Sequence, residues 1–317
     1  GATTVSAGTI QLGAAERITG SLIVDATFDM NGFSETVATL AGTGTVTSSS
    51  AGTITLTSGN ASSTSFSGVI ENGSATSLAI TKVGSGILAF SGANTYTGRT
   101  TITAGTIQMD AANVIPDNPV TLGGGTLNTG TSGGFSETIG DLTVSSNSTI
   151  ALGTGVHTLT IANSSGNTWA ATTLSITGWT GIGGSGGAGT SGVIMVGVGG
   201  MSPAQLAKIN FSGGFGTGAV ITASGELVPA SGSTIFYSQG NLAPNTFANW
   251  NSNRLGGGFS PTTFSNAGNF FIIQDQHTMT TTATWTVNGA GSKIQIENGG
   301  TLVANNAITL AATGTFR

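Results

Sequence analysis

The chain repeats itself. Residues 1–18 (GATTVSAGTIQLGAAERI) match residues 98–115 (GRTTITAGTIQMDAANVI) almost position for position, and GFSET at 32–36 returns at 134–138. A period of about one hundred residues constrains the fold strongly. Each unit is too small to bury its apolar face alone and must stack on its neighbour. The segment that leads into the second copy, 82–97, has no counterpart before Gly1, so the sequence reads as cut from a longer array. The run to Thr315-Phe-Arg317 reads as a similar cut through continuing strands.

Within the repeats, apolar and small polar residues alternate with period two. Thr100-Thr-Ile-Thr-Ala places Ile102 and Ala104 on one face and Thr101 and Thr103 on the other. β-Branched alternation of this kind specifies strands. Gly, Ser, Asn and Asp interrupt the strands every five to ten residues, a spacing that suits the corners of a coil better than long hairpins. The expected fold is therefore all-β, a parallel β-solenoid. At about 20 residues per coil and a 4.8 Å step, it would extend on the order of 70 Å.

Composition narrows the function classes. Charged residues are 6% of the 317, against about a quarter in ordinary soluble domains, and the net charge is −5. No basic cluster is present, so a nucleic-acid footprint is not expected. Cysteine is absent, which removes disulfides and thiolate metal sites. No apolar run reaches the roughly 18 residues of a membrane-spanning helix.

One helical segment is expected near 202–209. Ser202 is placed to cap it, Pro203 takes the first helical position, and Gln205 stands where a capping box needs it. The glycine-rich run 181–192 reads as a flexible loop. After Pro229 the texture changes to an aromatic block, 235–271, before strands resume. The expected division is a solenoid over 1–232 and an aromatic-rich module over 233–317 that continues into more solenoid. The first part holds a partial repeat at 1–60, a repeat at 82–165 and a closing segment at 174–229.

Lys82, Gly84, Gly86, Leu88, Ser91, Gly92, Asn94, Thr95, Tyr96, Thr97, Gly98, Thr100, Ala104, Gly105 and Thr106 carry a recognisable pattern. It resembles the autotransporter-associated β-strand repeat of bacterial surface proteins, with Phe90 and Ile107 where leucine is usual. Residues 174–229 are similar to the segment that closes such repeat blocks. The aromatic block with 271–302 resembles a module of giant Bacteroidota surface proteins exported by type IX secretion. The resemblance implies a right-handed parallel β-helix in a long secreted surface protein, and no particular reaction.

Several residues are candidates for function. Glu35 and Glu137 hold the same slot of the repeated GFSET and are expected to cap corners by accepting backbone N–H groups, and Asn94 is expected to form part of a corner ladder. Tyr96 reads as a seam aromatic. Trp250, with Tyr237, Arg254 and the asparagines 245, 249, 251 and 253, could stack on and hydrogen-bond a sugar, or else pack a module junction. Asp25 and Asp29 share strand parity as a weak acid/base pair. Asp275 and His277 would share one strand face, while His157 is expected to point outward. No catalytic, cofactor or metal site is expected. The favoured role is a structural or adhesive segment of a secreted surface fibre, associating with itself head-to-tail or laterally, or with adjoining segments, through open solenoid ends. The alternatives are a glycan- or protein-binding adhesin using the aromatic block and, remotely, a polysaccharide-active enzyme.

Overall fold

A computed structural model describes residues 1–131, 133–180, 192–212, 215–230, 235–257, 260–261, 263–265, 268–289, 292–310 and 314–316. The expected loop at 181–192 falls outside these except for Gly192. The fold is an all-β parallel solenoid of about 12 turns with 2% helix. It divides into two compact units: Gly1–Ser212 with Thr217–Val228, and Gly213–Gly216 with Pro229–Arg317.

In the first unit, strands of successive coils stack in parallel. Thr3–Val5 lies on Ser21–Val24, with Thr3 opposite Leu22, and Ser21–Val24 lies on Thr39–Ala41. Thr9–Gln11 lies on Thr27–Asp29, followed by Thr45–Thr47 and Val69–Ile70. Two longer columns carry the stack onward. One runs from Glu35–Val37 through Thr53–Ser58, Ser77–Lys82, Thr100–Ile102 and Val120–Leu122 to Glu137–Val144 and beyond. The other includes Thr64–Phe66, Ile87–Phe90, Thr106–Met109, Thr126–Asn128, Ser148–Ala151 and Leu174–Thr177.

Alternation within each strand decides which side faces in. Ser77–Lys82 alternates half-buried and buried positions, and Leu78 and Ile80 are 0% and 1% exposed. Ile54, Leu56, Leu78, Ile80, Ile102, Val120 and Leu122 thus form one aliphatic stack, with each residue adding about 1.5–3 kcal/mol on burial. The helix is a single turn, Pro203–Leu206, shorter than 202–209, with the full Ser202/Gln205 capping box. It is sewn to the preceding coil by the Gln205 amide, whose Nε2 donates to Ser164 O at 2.8 Å and Asn167 O at 2.9 Å.

In the second unit, Ile235–Ser238, Phe270–Ile273, Lys293–Ile296 and Thr315–Phe316 form a parallel column. Trp250–Asn251 pairs antiparallel on the Ile235–Ser238 side. Thr278–Thr280 pairs with Thr301–Val303, and Trp285–Val287 with Ile308–Leu310. The core here is aromatic, built on Phe236, Trp250, Phe264, Phe271 and Trp285.

Candidate functional site

A buried line of hydrogen bonds runs along one corner of the first unit. Ile70 N donates to Asn94 Oδ1 (2.8 Å), Asn94 Nδ2 to Val114 O (2.7 Å), and Val114 N to Glu137 Oε2 (2.8 Å). Asn94 and Glu137 are 6% and 2% exposed, so these bonds satisfy main-chain groups that water does not reach. Glu35 does the same work in the first copy, taking Arg17 N on Oε2 (3.0 Å) and Ile18 N on Oε1 (2.9 Å). Arg17 and Ile18 are the repeat counterparts of Val114 and Ile115. In both copies the preceding residue, Glu16 or Asn113, is left-handed (φ 54° and 55°), which turns two consecutive amides toward one carboxylate.

The two carboxylates differ in one respect. At Glu137 both amides converge on Oε2, with Ile115 N at 3.3 Å, while Oε1 is buried with no hydrogen-bond partner among the described residues. Burial pushes the Glu137 carboxyl up to about 7, against the pull of the Val114 and Ile115 amides and with help from the Asp117 charge. Tyr96 is buried beside this corner; its hydroxyl lies 2.7 Å from Thr100 Oγ1, and burial raises its phenol.

Lys82 is the corner residue that sequence reasoning left without a role. It is 1% exposed, and its ammonium donates to the carbonyls of Val83 (2.5 Å) and Gly84 (2.9 Å), with Ala104 O at 3.5 Å. Burial lowers its pKa. The glycines of the pattern leave the space it needs: a Cβ on Gly105 (φ 64°) would stand 2.7 Å from Lys82 Nζ and 2.3 Å from Gly84 O. The lysine and glycines of the motif are thus one device that ties the loop of one coil to the next.

The aromatic block is organised inward. Trp250 is 0% exposed; its ring stacks on Trp285 (5.4 Å, 23°), meets Phe271 edge-on, and its Nε1 donates to Pro244 O at 2.8 Å. The structure therefore places Trp250 in the core, where neither ring face is open to a sugar. Tyr237 is half-buried, and the Arg254 guanidinium lies 4.7 Å from its ring centroid. Arg254 is exposed and pairs in bidentate fashion with Glu297, with Nη1 2.9 Å from Oε2.

The remaining candidates separate. Asp25 is exposed in a turn. Asp29 is buried and accepts from Gln11 Nε2 (2.7 Å), Asn31 N (2.8 Å) and Ser49 N (2.8 Å). Burial would raise the Asp29 pKa, but these bonds outweigh it and hold the carboxyl low. Asp275 and His277 do not share a strand face, because the strand ends at Ile273 and Gln276 (φ 62°) turns the chain between them. His277 Nδ1 instead accepts from Gly240 N at 3.2 Å and lies 2.7 Å from Ser238 Oγ, a hydroxyl on a fully buried residue that also accepts from Gln274 N. His157 does not point outward. It is 3% exposed, lying against Gly134 and Gly192; Thr129 Oγ1, 28 residues away in sequence, meets its Nε2 at 2.8 Å, and Gly155 O faces its Nδ1 at 3.0 Å. Among the described residues no group of three His, Asp or Glu could hold a metal ion, and no helix is long and apolar enough to cross a membrane.

Among the described residues, Thr3–Val5 and Thr9–Gln11 each pair with one neighbouring strand, as do Thr301–Val303 and Ile308–Leu310 in the second unit.

What the coil geometry defines is a parallel β-solenoid with polar corners. Residues 80–109 match the family model of the passenger-associated transport repeat. Together with the solenoid, this match supports an autotransporter-associated β-repeat protein, and it fits a passenger segment with a secreted or surface location. No curated protein and no solved structure matches the chain.

Proposed function

We propose that this chain is a structural segment of a secreted bacterial surface fibre, one that extends the fibre, resists force and joins its neighbours by coil-on-coil stacking. The observation that carries the reading is the unbroken corner line from Ile70 to Glu137 through parallel, stacked strands. A stack held this way passes load through many parallel main-chain bonds. The reading assigns no reaction to the chain. A binding role in the aromatic block would have to use Tyr237 and Arg254, because Trp250 is enclosed.

Electron microscopy of the producing cells, with an antibody against this chain, tests the proposal. Label distributed along filament bodies is the expected result. Label confined to flat membrane patches, or to free particles in the medium, would overturn it.

A further inference from the structure

In the second unit, Thr278–Thr280 and Ile235–Ser238 each turn one edge away from the strand that follows them in the stack, and the chain itself shuts both edges. In a parallel stack, alternate N–H groups of a strand point to opposite neighbours. On one side of Thr278–Thr280 the bonds run between main chains: Thr301 N donates to His277 O (2.8 Å) and Thr281 N to Val303 O (2.9 Å). On the other side Thr278 N donates to Asn241 Oδ1 (2.6 Å), Thr280 N to Leu242 O (3.3 Å) and Thr282 N to Asn245 Oδ1 (3.1 Å). Thr278 stands in register with Thr301, so the Asn241 amide takes the place that His277 O holds one coil later.

The same segment then reverses over Ile235–Ser238. Phe270–Ile273, Lys293–Ile296 and Thr315–Phe316 follow that strand in parallel, whereas Trp250–Asn251 runs against it, with Ser238 opposite Trp250 and Gln239 N donating to Asn249 O (3.0 Å). The polar groups between are drawn inward. Asn249 Nδ2 donates to Ala243 O (2.8 Å), the Trp250 indole to Pro244 O (2.8 Å), and Gly240 N to His277 Nδ1 (3.2 Å). Pro244 is buried and has no N–H to offer a further strand. A second bond, from Asn245 Nδ2 to Thr282 Oγ1 (3.2 Å), fixes the other end of the segment.

From this we infer that residues 239–251 are a strap that closes the stack of the second unit and bars strand addition along 278–282 and Ile235–Ser238. A carbonyl supplied by another coil would belong to a strand with a second side, on which pairing could continue. A side-chain amide ends the pattern where it stands. Stacked repeats need such a stop, because an uncovered coil templates the next one. The covering residues are the chain's own and lie within it. Coil-on-coil joining is therefore barred at this edge, whether or not the chain is a fibre segment.

Amide hydrogen exchange of the full chain, followed at Thr278 and Thr282 over a range of protein concentrations, tests the strap. In the parent chain both amides should stay protected at every concentration. Asn241→Ala with Asn245→Ala removes two acceptors, and exchange at Thr278 and Thr282 should then speed by at least about tenfold in dilute solution. It should slow again as concentration rises, with larger species in sedimentation velocity as the opened edges pair. Asn241→Asp with Asn245→Asp keeps an acceptor at both places and should behave as the parent does. Unchanged exchange in the alanine variant would overturn the inference. So would fast exchange with unchanged sedimentation at every concentration, because the strap would then be a cover and not a barrier. Protection in the parent that grows with concentration would overturn it as well. Lys293, whose amide donates to Asn269 O (2.8 Å), is the reference for an intact stack. If its protection is lost in the double variant, Asn245→Ala alone is read at Thr282 by the same criteria. Absence of antibody label on filaments would remove the fibre reading and leave the strap standing.

Discussion

The two units solve the interior of a coil in different ways. In Gly1–Ser212 stacked aliphatic side chains, with aromatics such as Phe28, Phe66 and Phe90 among them, fill the middle and buried Asn, Glu and Lys hold the corners; in the second unit Trp250, Trp285, Phe271 and Phe264 meet in one aromatic cluster. An aliphatic coil contributes modestly per residue, so its turns must be fixed by hydrogen bonds that no water can replace. An aromatic cluster concentrates the same stabilisation in a few large rings. The first arrangement can be copied coil after coil, because each corner bond points to the next coil. The second depends on rings from separate strands converging at one place.

That contrast can be broken first at Trp250. Trp250→Ala should destabilise the second unit by about 3–5 kcal/mol, removing a ring packed on Trp285 and Phe271. Amide protection should fall at Phe271–Ile273 and remain at Leu127. Loss of protection in both units would mean that the two interiors are not energetically separate.

Lys82→Ala should come next, at about 2–3 kcal/mol, because the carbonyls of Val83, Gly84 and Ala104 lose their shared donor inside the stack. Denaturant unfolding of the variant measures it. A change within error would show that the ammonium is replaceable by water.

Glu137 gives a pH signature. Its folded pKa of about 7 lies above the ordinary 4.5, so the folded chain holds a proton that the unfolded chain releases. The associated stability is fully present below about pH 4.5 and is lost as pH rises through 7, an effect on the order of 2 kcal/mol. Urea midpoints between pH 5 and 8 should fall accordingly, and Glu137→Gln should flatten that slope. A slope of the opposite sign would mean that the carboxylate is held charged by its two amides.

The smallest effect belongs to Arg254→Ala. The residue lies on the surface and its pairing with Glu297 is solvent-screened, so the thermal midpoint should not move measurably. A clear drop would make the Tyr237–Arg254–Glu297 group a structural clasp.

Much of the first unit was legible because its chemistry repeats. The recurrence of GFSET located Glu35 and Glu137 as corner caps, while the amides they receive, at Arg17 and Ile18 and at Val114 and Ile115, are seen only in the fold. Period-two alternation gave the strands directly. The contacts that sequence reasoning missed involve partners far apart along the chain. Lys82 belongs to a visible motif and bonds the nearby carbonyls of Val83 and Gly84, but its tie to the next coil runs to Ala104 O, 22 residues away. His157 is buried against Gly134 and Gly192 and meets Thr129, 28 residues away, and no local pattern connects it to these. Trp250 sits among asparagines in a polar stretch, and only Trp285 and Phe271, brought in by later strands, make it a core residue. For Asp275 and His277, alternation was extended across a turn that Gln276 makes with a left-handed backbone.

The account rests on coils tied to one another by buried corner bonds, and native-state amide exchange at Ile70 and Val114 tests it most directly. Both amides donate to side chains of later coils, Asn94 and Glu137, and Ile80, whose amide donates to Arg99 O, is the reference. The account predicts exchange at Ile70 and Val114 as slow as at Ile80. Fast exchange at Ile70 and Val114 while Ile80 stays protected would contradict it, because the corner would then open without the stack.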